Sequence, residues 1–119
     1  MFIKKVCRST IFAFRGIGYM IKNERNFKIH LFFAVLISLI GLLIGFNRCE
    51  WMIVILLIAV ILSAEIFNSA LERVCDLMRE KLKLKYEDTT VIRNLSAGAV
   101  IIIAFFSLLI GIILIGGKL

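Results

Sequence analysis

Polar and apolar positions along the chain fall into four blocks. In residues 3 to 21, IKKVCRSTIFAFRGIGYMI, Val6, Thr10, Phe14 and Ile17 recur at helical spacing, with Lys4, Lys5, Arg8 and Arg15 among them. That pattern predicts an amphipathic helix lying on a membrane surface. Three apolar runs follow. The first covers 29–47 and is built on HLFFAVLISLIGLLIGF; the second covers 51–72 and carries no charge from Trp51 to Ala64; the third covers 95–117. A spanning helix needs about 20 mainly apolar residues. The prediction is an all-α membrane protein: one domain over residues 1–119, with a surface helix at about 3–21 and three transmembrane helices.

The links between these blocks carry their own signals. Beyond Asp76 the second helix is expected to leave the membrane through LMREKLKLKY, and EDTTVIRN reads as a polar connector. The third span opens with LSAGAV, where Ser96, Ala97, Gly98 and Ala99 would let a neighbouring helix or a ligand come close. Gly41 and Gly45 form a GxxxG, for which close helix packing is the simplest reading. No internal repeat or low-complexity tract occurs. The basic amino terminus leads into an amphipathic stretch with no cleavage-like site, so a cleaved signal peptide is not expected.

Composition sharpens this picture. The chain of 119 residues is 61% hydrophobic, has no proline and carries a net charge of +7. Its basic residues sort by loop. Lys4, Lys5, Arg8, Arg15, Lys22, Arg25 and Lys28 precede the first span, and Arg73, Arg79, Lys81, Lys83, Lys85 and Arg93 lie at or between the second and third. The hairpin between the first two spans holds only Arg48, and the carboxyl end only Lys118. The positive-inside tendency places the amino terminus and the second loop in the cytoplasm. Anionic headgroups account for the same asymmetry, so no nucleic-acid partner is expected. Cys7, Cys49 and Cys75 are odd in number and lack CxxC spacing, which reads as small apolar fillers rather than a disulfide or zinc framework. The GIG at 16–18 is too short for a phosphate-binding fingerprint, and no GxxxxGK[ST] occurs.

The candidate chemistry lies in AEIFNSALERVCD, residues 64–76. Glu65, Asn68, Glu72 and Asp76 are spaced 3, 4 and 4 apart. At 100° per residue they fall within about 80° on one helix face, with Arg79 on the same stripe. Along the helix Glu65 lies about 21 Å from Trp51, Glu72 about 31 Å and Asp76 about 37 Å. Against a hydrocarbon core about 30 Å thick, Glu65 is inside the boundary, Glu72 at it and Asp76 beyond it. A solvated Asp76, or one paired with Arg73 or Arg79, needs no function. Glu65 is different, because a membrane carboxylate costs roughly 2.5–3.5 kcal/mol on insertion scales and is a functional candidate by default. Glu24, in KNERNF, stands at the depth of Glu72. Two such carboxylates could hold a Mg²⁺ that keeps its waters and bridges phosphates. Arg93, entering the third span, could face a phosphate.

These stretches resemble the small integral-membrane lipid kinases of bacteria, the diacylglycerol kinase and undecaprenol kinase family. AEIFNSALERVCD looks like that family's signature, ERNF followed by His30 is similar to its undecaprenol kinase branch, and LSAGAV also matches. The resemblance covers nearly the whole chain. It implies ATP-dependent phosphorylation of a membrane lipid alcohol, most simply undecaprenol to undecaprenyl phosphate, with diacylglycerol as the alternative acceptor. It further implies Mg²⁺, the bacterial cell membrane as location, and a homotrimer with sites built between subunits. Residue by residue, Glu65 matches the catalytic glutamate, proposed as general base for the lipid hydroxyl. Glu24 and Glu72 match two metal-binding glutamates. Phe12, Asp76, Arg93 and Asn94 fall on the nucleotide side, and Lys5, Asn68 and Ala97 beside the lipid. His30 matches a histidine common in the undecaprenol branch; by itself it reads as an interfacial residue at a helix start.

Two departures matter. The family's third helix usually begins with a basic residue followed by aspartate, whereas here the pair is Arg93 and Asn94. If the aspartate serves to orient the basic residue, the carbonyl oxygen of Asn94 can do the same. The connector between Glu72 and Arg93 is also a few residues longer than in short family members, so nucleotide contacts within 77–92 do not transfer. Two other classes stay open: a small proton-coupled transporter, which needs Glu65 but no Glu24–Glu72 pair, and a non-catalytic family member acting as a membrane scaffold.

Overall fold

The computed structural model describes all 119 residues. They run as α1 (Phe2–Asn23), α2 (Arg25–Ile44), α3 (Arg48–Leu82), a 3-10 turn (Tyr86–Thr89) and α4 (Thr90–Lys118), with no strand. α2, α3 and the final segment containing α4 are long and apolar enough to cross a membrane. At about 1.5 Å per residue α2 is about 30 Å long, close to the hydrocarbon thickness, while α3 is about 52 Å and must project beyond it.

The helix ends follow from local chemistry. Glu24 is extended and serves both as the end of α1 and as the start of α2. α2 therefore begins four residues before the apolar run expected at 29. Met20 and Phe27, one on each side of this break, are buried. Gly45 ends α2 in the left-handed region, φ 77°, and the amides of Gly45 and Phe46 both donate to the Gly41 carbonyl, at 3.0 and 2.9 Å. This corrects the GxxxG expectation, because Gly45 is a cap rather than a packing position. Gly41 instead makes room within its own hairpin. A Cβ there would overlap the Phe46 ring and lie 3.0 Å from Trp51. Those two rings meet edge to face, with centroids 5.5 Å apart.

α3 starts with a capping box. The Asn47 side chain accepts from the Glu50 amide and Glu50 accepts from the Asn47 amide, both at 2.9 Å. Glu50 also pairs with Lys118 at 2.9 Å, which joins the start of α3 to the end of α4. At its other end α3 stops at Leu82, followed by Lys83 at φ 53°. EDTTVIRN is not an open connector. The Thr89 and Thr90 hydroxyls both donate to the Tyr86 carbonyl, at 3.0 and 3.2 Å, and α4 starts at Thr90. Arg93 thus closes the first turn of α4 and Asn94 opens the second.

α4 packs along α3, α2 packs against α3 with a smaller contact, and α1 rests on α2. The assembly is flat, 55 × 43 × 22 Å. Only 11 of the 119 residues are buried, and three of them are the polar Glu65, Asn68 and Thr89. Such extensive exposed apolar surface requires lipid or further protein around it. Of the cysteines only Cys75 is buried; Cys7 and Cys49 are exposed, so the filler reading holds for Cys75 alone.

Candidate functional site

Three successive turns of α3 carry the site, and each is tied to a different neighbour. Deepest is Glu65, 3% exposed, whose Oε1 lies 3.0 Å from Nε2 of His30 on α2. His30 is not at a helix start as its sequence context suggested; it stands within α2, facing α3. One turn along, Asn68 is buried and bridges two elements. Its carbonyl oxygen accepts from the Ser96 hydroxyl of α4 at 2.7 Å, and its amide donates to Glu72 Oε1 at 3.3 Å. The hydroxyl thus fixes which way the Asn68 amide faces, and the amide fixes Glu72.

The outermost turn is cationic as well as acidic. Arg93 Nη2 donates to Asp76 Oδ1 at 2.6 Å, and Arg93 Nε donates to the buried Thr89 hydroxyl at 3.1 Å. Arg79 approaches the same Asp76 oxygen at 4.0 Å. The exposed Tyr86 ring lies against both guanidinium groups, 4.8 Å from Arg93 and 5.1 Å from Arg79. In this part of α3, past the apolar run, the Arg93 hydrogen bond holds the Asp76 carboxyl below the usual aspartate range.

The remaining carboxylate comes from the α1–α2 break. α2 and α3 run in opposite directions, with His30 and Glu65 level. Glu24 is six residues from His30 and Glu72 seven from Glu65. The two acids therefore stand about 9 and about 10 Å beyond that level, on the same side. No three His, Cys, Asp or Glu side chains close around one point. Carboxylate oxygens such as those of Glu24 and Glu72 are the hard donors that a Mg²⁺ would take beside water or phosphate oxygens.

On the opposite side of His30 lies an apolar cavity of about 420 Å³ between α2, α3 and α4. His30 is at its polar end, and Ala34, Ile37, Val54, Ile61 and Leu108 are among the apolar residues along it. A hydrocarbon chain in that cavity would begin next to the Glu65–His30 pair.

Not every candidate joins this cluster. Lys5 and Phe12 are exposed on α1 and bond none of the cluster's residues. Asn94 is also exposed and makes no side-chain hydrogen bond, so the expectation that it orients Arg93 is corrected: Asp76 and Thr89 accept from Arg93 instead. Ala97 is half-buried beside Ser96. Thr89 and Tyr86 were not among the sequence candidates, and Ser96 was read only as a small residue allowing close approach, not as a partner of Asn68. The signal was available for two of them, since Thr89 and Ser96 are four before and three after Arg93 and share its helix face.

Comparison with known proteins shows the family. A family described as prokaryotic diacylglycerol kinase matches residues 11–115. The undecaprenol kinase of Bacillus subtilis is 32% identical over 117 residues, covering 98% of this chain and 93% of its own. A diacylglycerol kinase of Synechocystis sp. is 27% identical over 100 residues, covering 84% of this chain but 56% of its own length. No solved structure matches.

Proposed function

From the premise that this chain belongs to the prokaryotic diacylglycerol kinase family and is an ATP-using lipid kinase, we propose that it phosphorylates undecaprenol at the cytoplasmic face of the bacterial cell membrane. The observation that carries the site is the buried Glu65, held against His30 at the polar end of an apolar cavity. The relative with the fuller coverage is an undecaprenol kinase, and the ERNF-to-His30 stretch supports the same acceptor. Diacylglycerol is the second acceptor to test, because the other relative is a diacylglycerol kinase.

In this reading the lipid hydroxyl arrives at Glu65 from the bilayer, its hydrocarbon chain lying in the cavity; Glu65 accepts the hydroxyl proton as the oxygen attacks the terminal phosphorus of ATP, and the bond from that phosphorus to the bridging oxygen breaks to release ADP. Proton removal by a positioned base contributes typically 10²–10⁴-fold. Asn68 holds Glu72 in place, and Glu72 with Glu24 would hold a Mg²⁺, which supplies charge neutralisation on the phosphates when bound. Arg93 leaves or shares Asp76 to meet the transferring phosphoryl group. Phosphoryl transfer asks mainly for positioning and electrostatic stabilisation, so no P-loop is needed.

The same reading makes α1 an amphipathic surface helix, the amino terminus cytoplasmic, the chain one kinase domain, and the active unit a homotrimer. The largely exposed apolar helix faces support association, since α2, α3 and α4 cover little of one another. The test supplies purified protein with Mg-ATP and either undecaprenol or diacylglycerol in matched micelles. Preferred phosphorylation of undecaprenol is the expected result. Preference for diacylglycerol would replace the acceptor, and transfer to neither would remove the site reading. Proton flux into liposomes without ATP would favour the transporter alternative.

A further inference from the structure

We propose that His30 is a positioning residue for the phosphoryl transfer, acting through Glu65; this inference rests on the Glu65 base reading above. A carboxylate on a long side chain inside a membrane has two ways to fail as a base. It can rotate away from the hydroxyl, or it can present the wrong oxygen. His30 addresses both. Its Nε2 is 3.0 Å from Glu65 Oε1, from a different helix, so the contact fixes the carboxylate relative to α2 as well as α3. When Nε2 carries a proton it donates to Oε1, which leaves the other carboxylate oxygen to receive the hydroxyl proton.

The surroundings leave this task to His30 alone. Glu65 is 3% exposed. The Asn68 amide, one turn away, is committed to Ser96 and Glu72, and Arg93 is committed to Asp76 and Thr89. No other side chain bonds Glu65. His30 also lines the apolar cavity, so the group that aims the base borders the place where the substrate chain would lie. A misplacement near 1 Å at a reacting centre costs about 10²-fold in rate, which sets the scale of the effect.

The test uses the full-length protein in lipid micelles, comparing wild type, His30→Ala and His30→Gln. Gln keeps an N–H donor near the reach of Nε2; Ala keeps none. Lipid phosphorylation is measured across Mg-ATP and lipid concentrations, and bound Mg-ATP is followed by its protection against thermal unfolding. The expected result is a 10–100-fold lower kcat in His30→Ala with KM for Mg-ATP within about twofold of wild type, and recovery of most of that loss in His30→Gln. In a Glu65→Gln background His30→Ala should cost nothing further, because a positioning residue has nothing left to aim. Unchanged kcat in His30→Ala overturns the inference. So does His30→Gln no better than His30→Ala when both still show nucleotide protection, or a full additional loss in the Glu65→Gln background. A wild type active on diacylglycerol alone would change the proposed acceptor and leave this inference standing; an unaffected His30→Ala in an active protein removes this inference and leaves the acceptor standing.

Discussion

Replacing Glu65 with glutamine should move activity and stability in opposite directions. Glutamine has the same shape, and its carbonyl oxygen can still face His30 Nε2 at about the present 3.0 Å, so the packing of α2 on α3 should persist. What disappears is a proton acceptor and a buried charge. The first loss is worth 10²–10⁴-fold in turnover, or about 2.7–5.4 kcal/mol at 1.36 kcal/mol per tenfold. The second loss is a gain for the fold. Glu65 is 3% exposed with one polar partner, and a membrane carboxylate costs roughly 2.5–3.5 kcal/mol on insertion scales. Part of that cost is offset by His30 and by the neighbouring dipoles, so a stabilisation of about 1 kcal/mol is the conservative expectation. Turnover is measured at saturating Mg-ATP and saturating lipid, and stability by thermal unfolding of the same preparation. A residue present only for packing would lose both together. Near-wild-type turnover in Glu65→Gln would refute the base role, and a lower unfolding temperature alongside lower turnover would refute the claim that function sets the cost of this charge.

Glu72→Gln and Glu24→Gln each remove an anionic oxygen from the phosphate side and should raise the Mg²⁺ concentration needed for half-maximal rate about tenfold; unchanged magnesium titrations in both would place the metal elsewhere. Asn94→Asp should alter turnover less than about threefold, since Arg93 already has its acceptors in Asp76 and Thr89. A large gain from a near-silent wild type would promote the scaffold alternative. Gly41→Ala should destabilise the protein by about 1–3 kcal/mol through overpacking and shift the emission of the sole tryptophan, because the added Cβ meets Phe46 and Trp51. The same unfolding temperature and the same Trp51 emission would show that the hairpin is looser than its geometry indicates.

How much of this was legible in the sequence depended on the period of the signal. Apolar runs at helical length located the long helices, and the 3-4-4 spacing put Glu65, Asn68, Glu72 and Asp76 on one stripe before any partner was known. The helix ends were less visible, because they are set by single residues. Glu24 is one extended residue between two helices, Gly45 acts through its positive φ, and two threonine hydroxyls on one carbonyl turn EDTTVIRN into a helix start. Contacts across helices were the least legible. Nothing local to His30 states that it meets a carboxylate 35 positions away, and nothing local to Asp76 prefers Arg93, 17 positions on, over Arg79, three positions on. The register between α2, α3 and α4 decides both pairings, and a periodic pattern on one helix contains no information about register with another.

α1 is where one chain falls short of the proposed site. Phe12 is 12 residues from the Glu24 break and Lys5 is 19, so along a helix they stand about 18 and about 28 Å from it. α1 is held to α2 through its last turn, where Met20 is buried, and the rest of it is exposed on every face. No side chain from α2, α3 or α4 bonds it. A nucleotide contact at Phe12 and a lipid contact at Lys5 therefore cannot be made to the Glu65 of the same chain in this arrangement. In the proposed homotrimer α1 would lie on the membrane surface against a neighbour, where its apolar side chains would be covered and its basic ones would meet anionic groups. A helix whose one buried residue is Met20, in its last turn, thus links the exposed apolar surface of α1 to the two proposed site residues that no contact within the single chain ties to Glu65.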